Sequence, residues 1–353
     1  MKKERSNVLD IIKGLMIIFI IITHFRFVYP DDYKRYGFFF WIDMAVPVFM
    51  IITGYVTSIQ YRKRGIESFD YAYSIEVVIP KVLRFLVPFF LITLLELPYM
   101  IEINNPGIIG TIAIIVRGGG GPGAYYTPVM IQLVFLVPLI YLLIKKYDWF
   151  GVIICFVLTA LWEMIQYCWG MDDQSYEIIA FRYISIIAFG CFIAIGKKEL
   201  SKKILGLMFI IGLIWQAALN YIPLHPVFMN YVWARVNYLP SLLVMPVLYV
   251  LIRQFSGGKV NIPLLQEIGK ASFNIFLVQR VFYGCGLAGV VYKIIDNMLL
   301  QLIVCICICL VGGYIFYIIE HRLTSILVNF IRNKNYFKDD IIKIINICNS
   351  SDK

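Results

Sequence analysis

Apolar residues run in blocks of about twenty along nearly the whole chain, at roughly 9–29, 38–60, 78–101, 125–144, 150–168, 178–196, 204–222, 233–253, 267–290 and 299–319. About twenty apolar residues is what an α-helix needs to cross a bilayer, and a backbone in hydrocarbon must satisfy its own hydrogen bonds. The pattern predicts an all-α integral membrane protein, a bundle of about ten transmembrane helices. The polar segments between the runs alternate in charge. One set carries Lys2, Lys3, Arg5, Arg62, Lys63, Arg64, Lys145, Lys146, Lys197, Lys198, Lys202, Lys203, Arg253, Lys259, Lys270 and the C-terminal tail; the other carries only Lys34, Arg35, Arg117 and Lys293. Of 32 lysines and arginines, 21 fall in the first set, 4 in the second and 7 within the runs. Cytoplasmic loops are the ones enriched in Lys and Arg, so both termini are expected in the cytoplasm.

Composition agrees: 60% of residues are hydrophobic and 15% charged, with a mean hydropathy of +0.79, far from the quarter of charged residues usual in soluble domains. The formal charge of +10 is accounted for by the inner loops, so it does not point to nucleic acid as a partner. No polar stretch is long enough to bury a core of its own. The chain therefore reads as one membrane domain, 1–335, followed by a short cytoplasmic tail, 336–353. The tail segment FKDDIIKIINI, Phe337–Ile347, suits either an interfacial helix or a solvated anchor. The N-terminal run imitates a signal peptide, but Asp10 and Lys13 interrupt it and no small-residue cleavage site follows, so it is expected to stay attached. Of the eight cysteines, Cys305, Cys307 and Cys309 alternate at a spacing that scatters them around a helix. No metal site is expected.

Ionisable residues inside the runs carry the candidate chemistry, because a charge at membrane depth is tolerated mainly where it faces a bundle interior or a watery cavity. The stretch DIIKGLMIIFIIITH, Asp10–His24, sets three such residues on one helix. Lys13 and His24 are eleven positions apart; at 100° per residue they lie within about 20° of one another on the helix face, separated by a rise of about 16 Å. Lys81 and Arg84, three apart on the third run, enter from the same cytoplasmic side as Lys13 and form an inner basic cluster with it. Toward the outer ends lie His24, Arg26, Asp43, Glu96, Glu163, Arg182, Arg235 and Arg280, a mixed-charge cluster that is either an internal ion-pair network or a site. Of the three histidines, His225 falls in an outer loop and His321 at the inner boundary, leaving His24 within a run. An imidazole exchanges protons near neutral pH, unlike a buried arginine; taken by itself, His24 fits a catalytic or a packing role. The outer segment RGGGGPG, Arg117–Gly123, lacks the lysine and hydroxyl of a phosphate loop and reads as a flexible loop whose glycines let backbone approach a substrate.

Several stretches together resemble the acyltransferase 3 family of polytopic membrane acyltransferases: Lys13 ahead of His24, AVPVFMIITGY at Ala45–Tyr55, KVLRFLVPFF at Lys81–Phe90, GKASFNIFLVQ at Gly269–Gln279 and YIIE at Tyr317–Glu320. Four positions depart from the family pattern. Lys13 and Lys81 stand where Arg is more usual and keep the charge; Thr53 replaces Ser before Gly54-Tyr55; and Gln279 stands where His often ends the late motif, which leaves His24 as the base. The resemblance implies transfer of an acyl group, most often acetyl, from cytosolic acyl-CoA to a hydroxyl of a cell-surface polysaccharide or its lipid-linked precursor. It implies acetyl-CoA as co-substrate with no bound cofactor, membrane lipid as the surroundings, and a multi-pass protein of a cytoplasmic membrane, bacterial in type. The donor phosphates would meet Lys13, Lys81 and Arg84, His24 would act as general base with Asp43 orienting its ring, and Glu163, Arg182, Arg235 and Arg280 would bind the acceptor. The rival reading is a proton-coupled transporter using the same buried charges. Such carriers more often show repeat symmetry with broken helices at matched positions, and none stands out here.

Overall fold

A computed structural model describes residues 7–25, 30–104, 106–222, 237–255 and 260–350, the side chains of 30–32, 104 and 331–350 excepted. All regular structure among the described residues is helical. The elements are α1 (Asn7–Thr23), α2 (Ala45–Lys63), α3 (Ile75–Asn104), α4 (Gly107–Val116), α5 (Tyr126–Tyr147), α6 (Trp149–Trp169), α7 (Ile184–Ile195), α8 (Lys202–Tyr221), α9 (Val244–Phe255), α10 (Pro263–Lys270), α11 (Ser272–Gly284), α12 (Ala288–Ile294) and α13 (Met298–Ser350), joined by short helical turns.

Six described helical segments are long and apolar enough to cross a membrane: Phe38–Lys63, Phe69–Ile103, Tyr126–Tyr147, Trp149–Trp169, Lys202–Tyr221 and Met298–Phe330. α11 and α12 together make a seventh if counted as one span, bent by 63° at Cys285 and Gly286. The other runs carry shorter helices. α1 has 17 residues and ends at Thr23, whereas Ala180–Ile195 and Leu239–Phe255 each begin with a tight 3₁₀ turn. The hydrophobic pattern locates helices better than it measures them, because an apolar residue at the end of a run is compatible with a turn as well as with a helix. α3 extends to 30 residues with Pro80, Pro88 and Pro98 inside it, which a membrane helix accommodates when neighbours satisfy the freed carbonyls. α13 runs without a break through position 336, where the pattern places the start of a tail.

α7 is the axis of the bundle. Every residue from Ser185 to Ala194 is buried, and the helix packs against α2, α5 and α6. Its closest neighbour is α2, through two reciprocal glycines: a Cβ at Gly54 would overlap the Ile187 carbonyl oxygen, and one at Gly190 would overlap that of Ile51. Where lipid removes the hydrophobic drive for association, small residues that let backbones touch supply the packing. α3, α6, α8 and α13 turn large apolar side chains outward instead, among them Leu95, Met164, Ile214 and Val311, each at least half exposed. At the end of the bundle where α1 begins, α10 lies against α1, with Gly269 against the Asp10 carbonyl and Gly14 against that of Leu265.

The crossing yields a stability prediction. Gly190→Leu should force α2 and α7 apart and destabilise the protein by about 3 kcal/mol, the upper part of the overpacking range. Gly206→Leu, where nothing lies within 4 Å of the added Cβ, should be near neutral. Thermal unfolding of the two variants in detergent, followed by fluorescence, checks the difference.

Candidate active site

Among the described residues, two cavities hold candidate residues. The inner one, about 640 Å³, is lined by Lys13 of α1, Thr53 and Tyr61 of α2, Lys81 and Arg84 of α3, Lys270 of α10, Ser272 and Asn274 of α11, and Glu320, His321 and Thr324 of α13, together with apolar residues of these helices and of α5. Stretches far apart in sequence thus supply one wall. Lys13 pairs with Asp10 at 2.6 Å, one helical turn away, and the carboxylate is almost fully buried. Asn274 donates its amide N–H to Glu320 Oε2 at 3.0 Å, and the Thr324 hydroxyl donates to the other oxygen of the same carboxylate. Lys81 differs. Its Nζ sits 3.7 Å from the centroid of the Tyr61 ring and is buried without a hydrogen-bond acceptor. A ring face attracts a cation, but it does not replace three acceptors, so this ammonium retains donors for an anion entering the cavity.

The second cavity, about 260 Å³, is lined by Ile20, Thr23, His24, Tyr33, Ile42, Asp43, Ala45, Val46, Gly123, Tyr125, Tyr126, Asn237 and Phe276. His24 stands on the turn just past the end of α1, its backbone N–H bonded to the Ile20 carbonyl at 3.3 Å. Asp43 borders the same space and accepts a short hydrogen bond from the Tyr33 hydroxyl. No hydrogen bond joins His24 to Asp43 among the described residues; Tyr33 holds the carboxylate. The His24 ring comes close to the glycine-rich loop, where a Cβ at Gly123 would lie 3.7 Å from Nε2.

That loop is pinned. Glu96 and Arg280, both fully buried, pair at 2.7 Å. Glu96 Oε1 accepts the Gly120 N–H at 3.0 Å, while Arg280 donates to the Gly118 carbonyl and, at 3.3 Å, to Thr93 Oγ1. Gly121, at φ +81°, passes directly over the backbone of α11, where any side chain would strike Arg280 O and Gly284. The glycines serve contact as much as freedom.

The structure sorts the sequence-derived residues into three groups. Lys13, Lys81 and Arg84 share the inner cavity, and His24 and Asp43 share the second. Glu163, Arg182 and Arg280 line neither: Glu163 accepts the Tyr176 hydroxyl at 2.7 Å, Arg182 lies among the rings of Tyr125, Tyr176 and Tyr183 at 4.7–5.3 Å, and Arg280 holds the loop. Arg182 borders the His24 cavity only through Tyr125. Arg235 and Arg26 lie outside the described residues. Lys270 was counted with the loop cations because it stands at the edge of its run, and Tyr61 carries no charge to mark it; Asn274 and Glu320 lay inside the stretches Gly269–Gln279 and Tyr317–Glu320, where residue type alone did not single them out. No group of three or more His, Cys, Asp or Glu suited to a metal occurs among the described residues.

Removing one member of a buried ion pair strands its partner, at a cost of about 3–5 kcal/mol. Glu96→Ala should therefore lower thermal stability sharply and slow any reaction at His24, because the loop loses its anchor. Glu96→Ala combined with Arg280→Leu should recover part of the stability. Melting curves of the single and double variants show whether the effects are non-additive, as a paired role requires.

A family model described as an acyltransferase domain, acyltransferase 3, matches residues 7–318. No curated protein and no solved structure matched significantly. The matched region holds the whole second cavity and all of the inner one except the part of its wall on α13 beyond 318. The chain belongs to the acyltransferase 3 family and is a membrane acyltransferase.

Proposed function

We propose that the protein moves an acyl group, acetyl above all, from cytosolic acyl-CoA to a hydroxyl of a cell-surface polysaccharide or its lipid-linked precursor, with His24 as general base. The observation that carries the reading is the pairing of a cationic inner cavity, holding an ammonium without an acceptor, with a second cavity that presents an imidazole. Family membership favours an enzyme over a proton-coupled carrier. In this reading all ten apolar runs lie in the membrane, both termini face the cytoplasm, and the membrane is a bacterial cytoplasmic one.

The donor phosphates meet Lys13, Lys81 and Arg84. Charge-assisted contacts to phosphate are roughly twice as strong as neutral ones, and anchoring at this end directs the pantetheine arm along α1. The rise of about 16 Å from Lys13 to His24 is comparable to that extended arm, so donor anchor and base need no large motion between them. The acceptor hydroxyl enters the second cavity. His24 takes its proton as the oxygen attacks the thioester carbonyl; the C–O bond forms, the C–S bond breaks, and the proton passes to the departing thiolate, releasing CoA as the thiol. Asp43, fixed by Tyr33, supplies negative charge beside the imidazolium that forms. Glu163, Arg182 and Arg280, first expected to touch the acceptor, act from behind the wall by setting Tyr125 and the glycine loop in place.

Transfer of radiolabelled acetyl from acetyl-CoA, by protein reconstituted in vesicles with envelope glycans and lipids from its host, tests this reading. His24→Gln should lower turnover by about 10²–10⁴-fold with little change in abundance or CoA binding, since an amide keeps volume and hydrogen bonding but accepts no proton. In the wild type, activity should fall on acidification as the imidazole gains its proton before the reaction. Near-normal turnover of His24→Gln with an unchanged pH profile would overturn the assignment.

A separate prediction concerns the inner cavity. Lys81→Ala and Arg84→Ala should raise the KM for acetyl-CoA with smaller effects on kcat, because the phosphate contacts are made equally in ground and transition states. Unchanged donor kinetics in both folded variants would make the cluster structural.

A further inference from the structure

Three side chains line both cavities: Ile20 of α1, Tyr126 of α5 and Phe276 of α11. They form the boundary that a donor extending from the inner cations toward His24 has to cross. The boundary is closely packed. The Tyr126 and Phe276 rings pack at 4.9 Å between centroids, inclined at 52°, and Phe273 continues the row, 6.3 Å from Tyr126 and 5.3 Å from Phe85. Ile20 and Phe276 are buried. Behind Phe276 stands the backbone of Gly123, so close that a Cβ there would meet the ring at 2.9 Å. The same Cβ position lies 3.7 Å from His24 Nε2, so the phenyl ring and the imidazole flank one point of the chain.

We propose that Ile20, Tyr126 and Phe276 select the donor by acyl length, admitting acetyl and propionyl groups and refusing longer chains. The inference rests on the donor and base assignments above and names the specificity of that same site. For the thioester carbonyl to reach His24, its sulfur lies at the ring boundary and the acyl carbons project past it. The space beyond is about 260 Å³, below the roughly 300–1,000 Å³ of ordinary ligand pockets, and the acceptor hydroxyl has to share it. A two-carbon group leaves that room; each further methylene is set against Phe276 or against the acceptor. Packed rings backed by main chain do not yield freely, since interiors are as dense as organic crystals.

The reaction balances identically for every donor length, so selection shows as a ratio. Acetyl-, butyryl- and octanoyl-CoA, each labelled in the acyl group, are offered to the reconstituted protein with host envelope glycans and lipids as acceptor, and binding of free CoA is measured alongside. Wild-type kcat/KM should favour acetyl- over butyryl-CoA by at least about tenfold, the scale on which methylenes are discriminated in a closed pocket. Phe276→Ala should lower that ratio by about tenfold through a gain with butyryl-CoA, Ile20→Ala should shift it the same way by less, and any change in free-CoA binding should be smaller than the change in the ratio. Should Phe276→Ala fail to fold, Phe276→Leu and Ile20→Ala carry the test. Equal use of octanoyl- and acetyl-CoA by the wild type, or equal slowing of all donors in the variants, overturns the selection while leaving the acyltransferase reading intact. A protein that neither binds CoA nor transfers any of the three groups overturns the donor assignment and the selection with it.

Discussion

A charge inside an apolar bundle must be met by another group, and most of this architecture follows from how each charge is met. Asp10 meets Lys13, Glu96 meets Arg280, and Glu163 meets the Tyr176 hydroxyl. Desolvation makes each arrangement an all-or-none commitment: once buried, neither partner can be removed cheaply. The Glu96–Arg280 pair does more than cancel charge, since its remaining donors and acceptors grip the backbone at Gly118 and Gly120. A glycine-rich segment is thereby converted from a loop into a fixed wall beside His24. Lys81 stands apart, with a ring face under its ammonium and no hydrogen-bond acceptor among the described residues.

The two cavities are strung along α1. This helix begins beside the inner cations and ends beside the second cavity, so one element sets the separation between Lys13 and His24. Its placement depends on backbone contact: Gly14 and Gly269 allow α10 to lie directly on it, which brings Lys270 to the same cavity as Lys13. α11 links the two spaces from the opposite side, giving Asn274 to the inner cavity and Phe276 to both. Residues two apart on a helix point in different directions, and here that offset carries one short motif from the inner cavity to the residues shared with the second.

Family membership and six described helical segments long enough to cross a membrane agree on a membrane acyltransferase. The axis formed by α2 and α7 is set by reciprocal glycines that bring the two backbones into contact, and this fixes where Thr53 and Tyr61 of α2 enter the inner cavity.

The membrane class, the positions of the helices, the grouping of Lys13, Lys81 and Arg84 and the separation of His24 from them along α1 were legible in the chain itself. Each depends on local terms: the free energy of placing an apolar run or a charge at membrane depth, and the periodicity of one helix. Helix length was less legible, because α1 stops at Thr23 and α7 and α9 are preceded by 3₁₀ turns inside runs that are apolar throughout. Which charge faces which was decided by tertiary structure alone. Glu163, Arg182 and Arg280 carry the same sequence signal as Asp43, a charge near the outer end of an apolar run, yet only Asp43 borders the His24 cavity. Tyr61, Tyr126 and Phe276 carried no signal, since aromatic residues in a membrane helix face lipid, core or substrate alike. Their roles arise from the crossing of α1, α2, α5 and α11, a property of packing among helices that no single segment encodes.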